Sequence, residues 1–338
     1  MLTPLEEPAS DRVRARRGVV LSRNTEVDVL RGFALLGISI VNTVGTSNMP
    51  TGVGNPGPAF WAFETLLHQR FFPIFSFLFG VSFGLFLDAV KDRTRHPRLA
   101  MLARLGFLVP FGMLHRTLEP DEVLVSYAVV GIVVLLPASF LPVRAVAVTG
   151  VLGALAGVAA GGGTWIIPGV FLLGLSAQRF NIKRATEARF RNLAITALAV
   201  VLLALCLDVW QVASNADTGS RLASSAGLAT AGAYVTTIML IFRARGGWAV
   251  LRRLAPVGRI ALTGYIGATV LIIGVSHLID LETAPRYGTA ISVGVFVFTA
   301  ELIFSWIWLR WARYGPLEWI WRCLTWWQLV PNHRSSQT

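Results

Sequence analysis

"HQRFFPIFSFLFG", residues 68–80, decides the fold. It sets a histidine, a glutamine and an arginine directly against an almost unbroken apolar run. A core helix of a soluble protein has no reason to begin with such a step in polarity, whereas a helix entering a bilayer does. The composition agrees: of 338 residues, 54% are hydrophobic and 14% charged, and the mean hydropathy is +0.62. That is too apolar for a soluble chain of this length. Stretches of about 17 to 25 apolar residues, enough to cross a hydrocarbon core of about 30 Å, recur along the sequence. They predict spans near 27–45, 71–88, 99–116, 123–140, 143–160, 164–179, 192–210, 225–243, 259–277 and 289–309. The expected fold is all-α, a polytopic membrane helix bundle of about ten transmembrane helices.

The net charge of +12 raises the possibility of nucleic acid, but the basic residues are spread through short connectors rather than gathered on one face. They fall at 12–23, 91–98, 179–191, 243–259 and 310–322. With ten spans all five groups lie on one side, so the positive-inside rule makes both termini cytoplasmic. The plasma membrane and the lipid bilayer itself are then the expected location and partner, with no nucleic acid. Residues 1–26 read as a disordered basic cytoplasmic tail without a signal-peptide core. The bundle is expected over 27–311, a Trp-rich interfacial helix over 312–328, and a disordered tail over 329–338. Cys206 and Cys323 lie far apart and imply neither a disulfide nor a metal site.

The long uncharged segment 43–61 reads as an irregular outer loop, and 59–70 as an interfacial or re-entrant helix that breaks near Pro73. Within it Glu64 and His68 stand four apart on one face, where a carboxylate can fix the imidazole tautomer of a general base. A solvated polar face is the simpler alternative from spacing alone. "HRTLEPDEVL" (115–124) faces the same side, so His115, Glu119, Asp121 and Glu122 are expected to converge with His68 on one mouth, joined by His277 and Asp280. His115 and Glu119 lack a second ligand at metal spacing, and no metal is expected. Arg31 sits a turn inside span one with Asp28 as a possible partner, Arg70 starts the second span, and Asn42 is set for burial. Arg104 and Arg116 read as snorkelling at opposite ends of span three. Gly80, Gly84 and the Gly/Ala-rich 143–163 read as close packing.

These blocks give the chain a family resemblance. "DVLRGFALLGISIVN", "HQRFFPIFSFLFGVSFGLFL", "HRTLEPDEVLVSYAVVGIVVLL", "FLLGLSAQRF", "GRIALTGYIGA" and "RYGPLEWIWR" resemble, in order, the YeiB family of bacterial integral membrane proteins, also classed as domain of unknown function 418. The resemblance implies a first half over about 27–140 and a C-terminal half over about 165–311. Its first two blocks are similar to a wider set of transmembrane acyltransferases that includes the lysosomal heparan glucosaminide acetyltransferases. Arg31, Gly32 and Asn42 match one block of that set, and Phe72, Pro73 and Gly80 the other. The catalytic histidine of those enzymes lies in the loop between the two spans, whereas here the first histidine after span one is His68.

Acyl transfer is therefore the expected chemistry. Acyl-CoA would serve as a donor substrate from the cytoplasm and a hydroxyl or amine as acceptor at the outer face, with no permanently bound cofactor. His68 with Glu64 would be catalytic, and His115 and Glu122 would be a second base candidate or acceptor contacts. Arg31, Asn42, Arg70, Asp121 and His277 would bind substrate, and a tunnel would run through the bundle to His68. The rival is a transporter or exporter that uses the same arginines and His/Glu residues for substrate or proton coupling, with a central cavity closed on one side.

Overall fold

The structure, a computed structural model, describes residues 9–51, 57–180, 190–244 and 247–333, and the side chains of these from residue 25 onward. Among the described residues the chain is helical apart from turns and one isolated bridge between Ala312 and His333. Helices satisfy every main-chain N–H and C=O within the segment, which is what hydrocarbon demands. The elements are α1 (Ala9–Thr46), α2 (Pro58–Leu66), α3 (Phe71–Val90), α4 (Pro97–Gly106), α5 (Leu108–Arg116) and α6 (Leu124–Val130). A π-helical turn, Gly131–Leu135, and a last turn, Leu136–Ala138, extend α6. Then come α7 (Val143–Ala159), α8 (Ile167–Arg179), α9 (Phe190–Ala213), α10 (Arg221–Arg243), α11 (Gly247–Leu251), α12 (Ala255–Arg259), α13 (Ala261–Ser276), α14 (Tyr287–Trp311) and α15 (Pro316–Trp326).

Among the described residues six stretches are long and apolar enough to cross a membrane: Thr25–Thr46, Pro58–Val90, Pro97–Arg116, Phe190–Ala213, Arg221–Arg243 and Tyr287–Trp311. Gly247–Arg259 with Ala261–Ser276, bent by 81°, makes a seventh if counted as one span. The expected spans four to six correspond to Leu124–Ala138, Val143–Ala159 and α8, which are shorter than the sequence suggested. The π-helical turn interrupts the first, and three consecutive glycines at positive φ, Gly161 to Gly163, end the approach to the third. The protein is a multi-pass helical membrane protein.

α1 is the hub. It packs against α3, α12, α13 and α14, so the "RG" at its head touches several functional elements at once. Gly32 and Gly258 make the α1–α12 crossing possible: a Cβ on Gly258 would lie 1.8 Å from the Asp28 carbonyl oxygen. Gly80 does the same for α3 and α8, where a Cβ would come 2.1 Å from the Phe171 carbonyl oxygen, in keeping with small residues at membrane helix contacts.

Three boundaries differ from the sequence reading. α1 is already helical from Ala9 within the stretch expected to be disordered; residues 1–8 and 334–338 lie outside the described ones. Asn332, in the expected second tail, is tied down, because its Oδ1 accepts from the Arg313 and Tyr314 amides. The break between α2 and α3 falls at Leu67–Arg70, not at Pro73, which sits in the first turn of α3 where a missing N–H costs nothing.

The connectors gather at two ends. Arg98 and Arg179 both donate to the Ser139 carbonyl, and Arg259 donates to the Arg313 carbonyl, at what is called here the basic end. At the opposite end Gln69 donates to the Thr218 carbonyl, Arg221 to that of Ala159, and Thr46 to Glu119.

Candidate functional site

At the opposite end, Glu64 is buried on α2 and its Oε2 lies 3.1 Å from His68 Nδ1. The carboxylate assigns Nδ1 as the protonated nitrogen and leaves Nε2 as an acceptor. His68 stacks on Phe63 with ring centroids 5.9 Å apart, which holds the imidazole plane. Gln69 follows with φ 59°, left-handed for a non-glycine residue, and this kink sends the next side chain the other way.

That side chain is Arg70, which is 0% exposed. Its Nε donates to the Thr65 carbonyl at 3.1 Å, one terminal nitrogen to the His68 carbonyl at 2.7 Å, and the other to Asp208 at 2.8 Å and Gln211 at 2.9 Å. The Asp208 carboxylate also accepts from Thr230, 3.0 Å away. Four donors are used and the charge is neutralised, so the anion-binding role expected of Arg70 is corrected: the residue ties α2 and α3 to α9. The signal missed in the sequence is Asp208, a lone acid inside the apolar "LALCLDVWQVA" (203–213).

The "HRTLEPDEVL" cluster divides in the same way. Glu122 is a cap: its carboxylate accepts from the Leu124 amide at 2.6 Å and the Val125 amide at 3.2 Å, closing the N-terminus of α6. It makes no hydrogen bond to His115. Glu119 is buried and accepts from Thr46 of α1; burial pushes its carboxyl above the usual range, partly opposed by that hydrogen bond. Asp121 and His277 are exposed. Asp280 closes its own loop by accepting from the Thr283 hydroxyl and from the Thr283 and Glu282 amides, the hydroxyl bond being the main reason its carboxyl lies below the usual range. Asn42 is half-buried, with no hydrogen-bond partner among the described residues. His115 is buried at 1% exposure, with Nε2 2.8 Å from the Thr269 hydroxyl, its ring edge-on to Tyr265 at 4.8 Å, and Nδ1 without a partner.

The basic end holds a cavity of about 530 Å³. Arg31, Arg104, Arg259, Arg313 and Arg322 line its mouth, Phe75, Phe79, Leu105 and Leu108 its walls, and Tyr127 and Tyr265 its depth. The broken helix makes it: at the 81° bend α12 ends and α13 begins, and Glu318 of α15 caps the new N-terminus by accepting from the Leu262 and Thr263 amides at 2.6 and 3.0 Å. Burial pushes the Glu318 carboxyl up, opposed by these bonds and the Thr263 hydroxyl. Arg31 bonds Asp28 at 2.9 Å and Ser82 at 2.6 Å. Arg104, read from sequence as a snorkelling residue, instead stacks its guanidinium over Trp321 at 3.7 Å and Phe86 at 5.0 Å. Its N–H edge bonds no described residue, and the Glu318 carboxylate lies near it. Neither His68 nor any residue of α2 lines this cavity, whereas Tyr265, which does, stands edge-on to the His115 ring.

Fold and site together define a polytopic helical membrane protein with an arginine-mouthed cavity at a broken helix. The chain belongs to the DUF418 family of proteins of unknown function, whose family model matches residues 175–328. It is 31% identical over 322 residues to an uncharacterized 39.9 kDa protein in the amylase 3′ region of Bacillus acidopullulyticus, covering 88% of this chain and 92% of that one. It is 25% identical over 384 residues to the uncharacterized protein YeiB of Escherichia coli (strain K12), covering 90% and 97%. A shorter match, 31% over 103 residues, relates it to the uncharacterized protein YxaH of Bacillus subtilis (strain 168), covering 29% of this chain and 25% of that one.

Proposed function

We propose that the protein transfers an acyl group from an acyl-CoA-like donor, entering from the cytoplasm at the basic end, to a hydroxyl or amine presented at the outer end. The observation that carries this reading is the cavity, whose arginine mouth suits phosphates and whose aromatic and aliphatic walls suit an acyl chain. Arg104 and Arg31 would hold the donor's phosphates. His115, behind Tyr265, is the base nearest the acyl end, and the His68–Glu64 pair would serve the acceptor side. A positioned base contributes about 10²–10⁴ in rate.

One observation favours a second reading, an exporter of the same amphipathic anion: the residues lining the cavity include neither His68 nor any residue of α2. The test is acyl-CoA-dependent labelling and thioester hydrolysis by the purified full-length protein, beside His115→Ala and His68→Ala. Turnover lost in one histidine variant that still binds donor supports transfer and chooses the base. Donor binding without turnover in any form, with flux into liposomes, replaces transfer with export.

A further inference from the structure

The bundle interior holds a titratable group that neither the cavity nor the His68–Glu64 pair uses. Glu301 sits within the span Tyr287–Trp311 and is 4% exposed. Its Oε2 accepts a long hydrogen bond, 3.4 Å, from the Ser39 hydroxyl of α1, the Ala268 amide of α13 lies near the carboxylate, and its Oε1 is buried with no hydrogen-bond partner among the described residues. Among the described residues the ion pairs are Arg31–Asp28, His68–Glu64, Arg70–Asp208 and Lys91–Asp88, so no cation pairs with Glu301.

The elements packed against α14 are α1, α2, α12 and α13. Their described titratable groups face elsewhere: Asp28 and Arg31 each other, Glu26 toward Arg243, Glu64 toward His68, Arg259 toward the Arg313 carbonyl, Tyr265 toward His115. His277 is exposed beyond the end of α13. What α13 turns to Glu301 is Gly264 and Gly267, where added Cβ atoms would stand 3.8 and 3.9 Å from Oε1. An ionised carboxylate supported only by the Ser39 hydroxyl and the nearby Ala268 amide, with no counter-ion among the described residues, is far costlier in hydrocarbon than the neutral acid.

We propose that Glu301 is a proton-binding site in the membrane interior, held as a neutral carboxylic acid between α1, α13 and α14, and the residue that a hydrophobic carbodiimide modifies. In that modification the acid's O–H adds across a C=N bond of the carbodiimide, giving an O-acylisourea that, away from water, rearranges to a stable N-acylurea with no leaving group. α13 also carries Thr269 and Tyr265 against His115, whose Nδ1 is likewise buried and unpartnered, so both groups abut one helix.

The test is to treat the purified full-length protein in detergent with dicyclohexylcarbodiimide from pH 6 to pH 8 and map adducts by peptide mass spectrometry. The expected result is an adduct on Glu301 that persists at pH 8 and vanishes in Glu301→Gln, while a water-soluble carbodiimide with an added amine labels the exposed Asp121 and Glu282 and spares Glu301. An unmodified Glu301, or an adduct formed at pH 6 and lost by pH 8, overturns the proposal. If Glu301→Gln does not fold, the wild-type map and its pH dependence decide alone. Neither outcome depends on whether acyl transfer occurs.

Discussion

Arg70 and Arg104 are both arginines at the edges of apolar helices, and the fold treats them in opposite ways. Arg70 is sealed from solvent and saturated by Asp208, Gln211 and two carbonyls. Arg104 is held by the faces of Trp321 and Phe86 while its donor edge looks into a cavity. A membrane charge neutralised by protein is a structural tie, and one oriented by stacking but left without a hydrogen-bonded acceptor is open to a ligand. The end of the bundle richer in histidine and acid is thus the more closed one chemically, and the basic end is where a ligand fits.

The largest effect that would break this contrast is Asp208→Ala. It leaves Arg70 buried and unpaired and is expected to cost about 3–5 kcal/mol, seen as a lower unfolding midpoint in detergent with donor binding lost only through unfolding. An unchanged midpoint would remove Arg70 from the structural class. Next, Arg104→Gln is expected to weaken binding of a non-hydrolysable acyl-CoA analogue by tenfold or more, from a charge-assisted bond worth about 1.5–3 kcal/mol, while the midpoint stays within a few degrees. Arg31→Gln should weaken it less, because Asp28 already shares that charge. Titration calorimetry on both variants measures the order, and equal losses would put the phosphates elsewhere.

A smaller effect sharpens the comparison at the closed end. Folding raises the carboxyl of Glu119, so the folded state holds its proton more tightly than the unfolded chain. The resulting stabilisation is full below the ordinary carboxylate range and is lost as pH rises through the raised folded value. Glu119→Gln, which still accepts from Thr46, should flatten that part of the stability–pH curve and leave the protein no less stable at neutral pH. A variant whose curve keeps the wild-type slope would assign the slope to another group.

The fold was legible because bilayer thickness imposes a length on every apolar run, and that rule is local. So was the Glu64–His68 pair, set by a spacing of four on one helix. Spans four to six were harder to read, since a π-helical turn and a glycine run shorten them without changing their hydropathy. Arg70–Asp208 was invisible because its partners are 138 residues apart, although an acid inside an apolar helix was itself a warning. Arg104 was misread because its two aromatic neighbours come from α3 and α15, and Glu301 was passed over because one acid in twenty-five residues barely lowers the hydropathy of a span. Glu122 could have been read correctly: an acid just ahead of a helix is first a cap.

Gln69 has a consequence for how this sequence can drift. Its left-handed backbone, rather than its side chain, decides that His68 turns back to α2 while Arg70 turns away to α9. Natural selection at this position is therefore expected to act on a torsion angle. Glycine and asparagine are interchangeable with glutamine here in that respect, whereas valine or isoleucine would swing the imidazole and the guanidinium apart from their partners in a single step. A family alignment is expected to show position 69 confined to residues that accept the left-handed region.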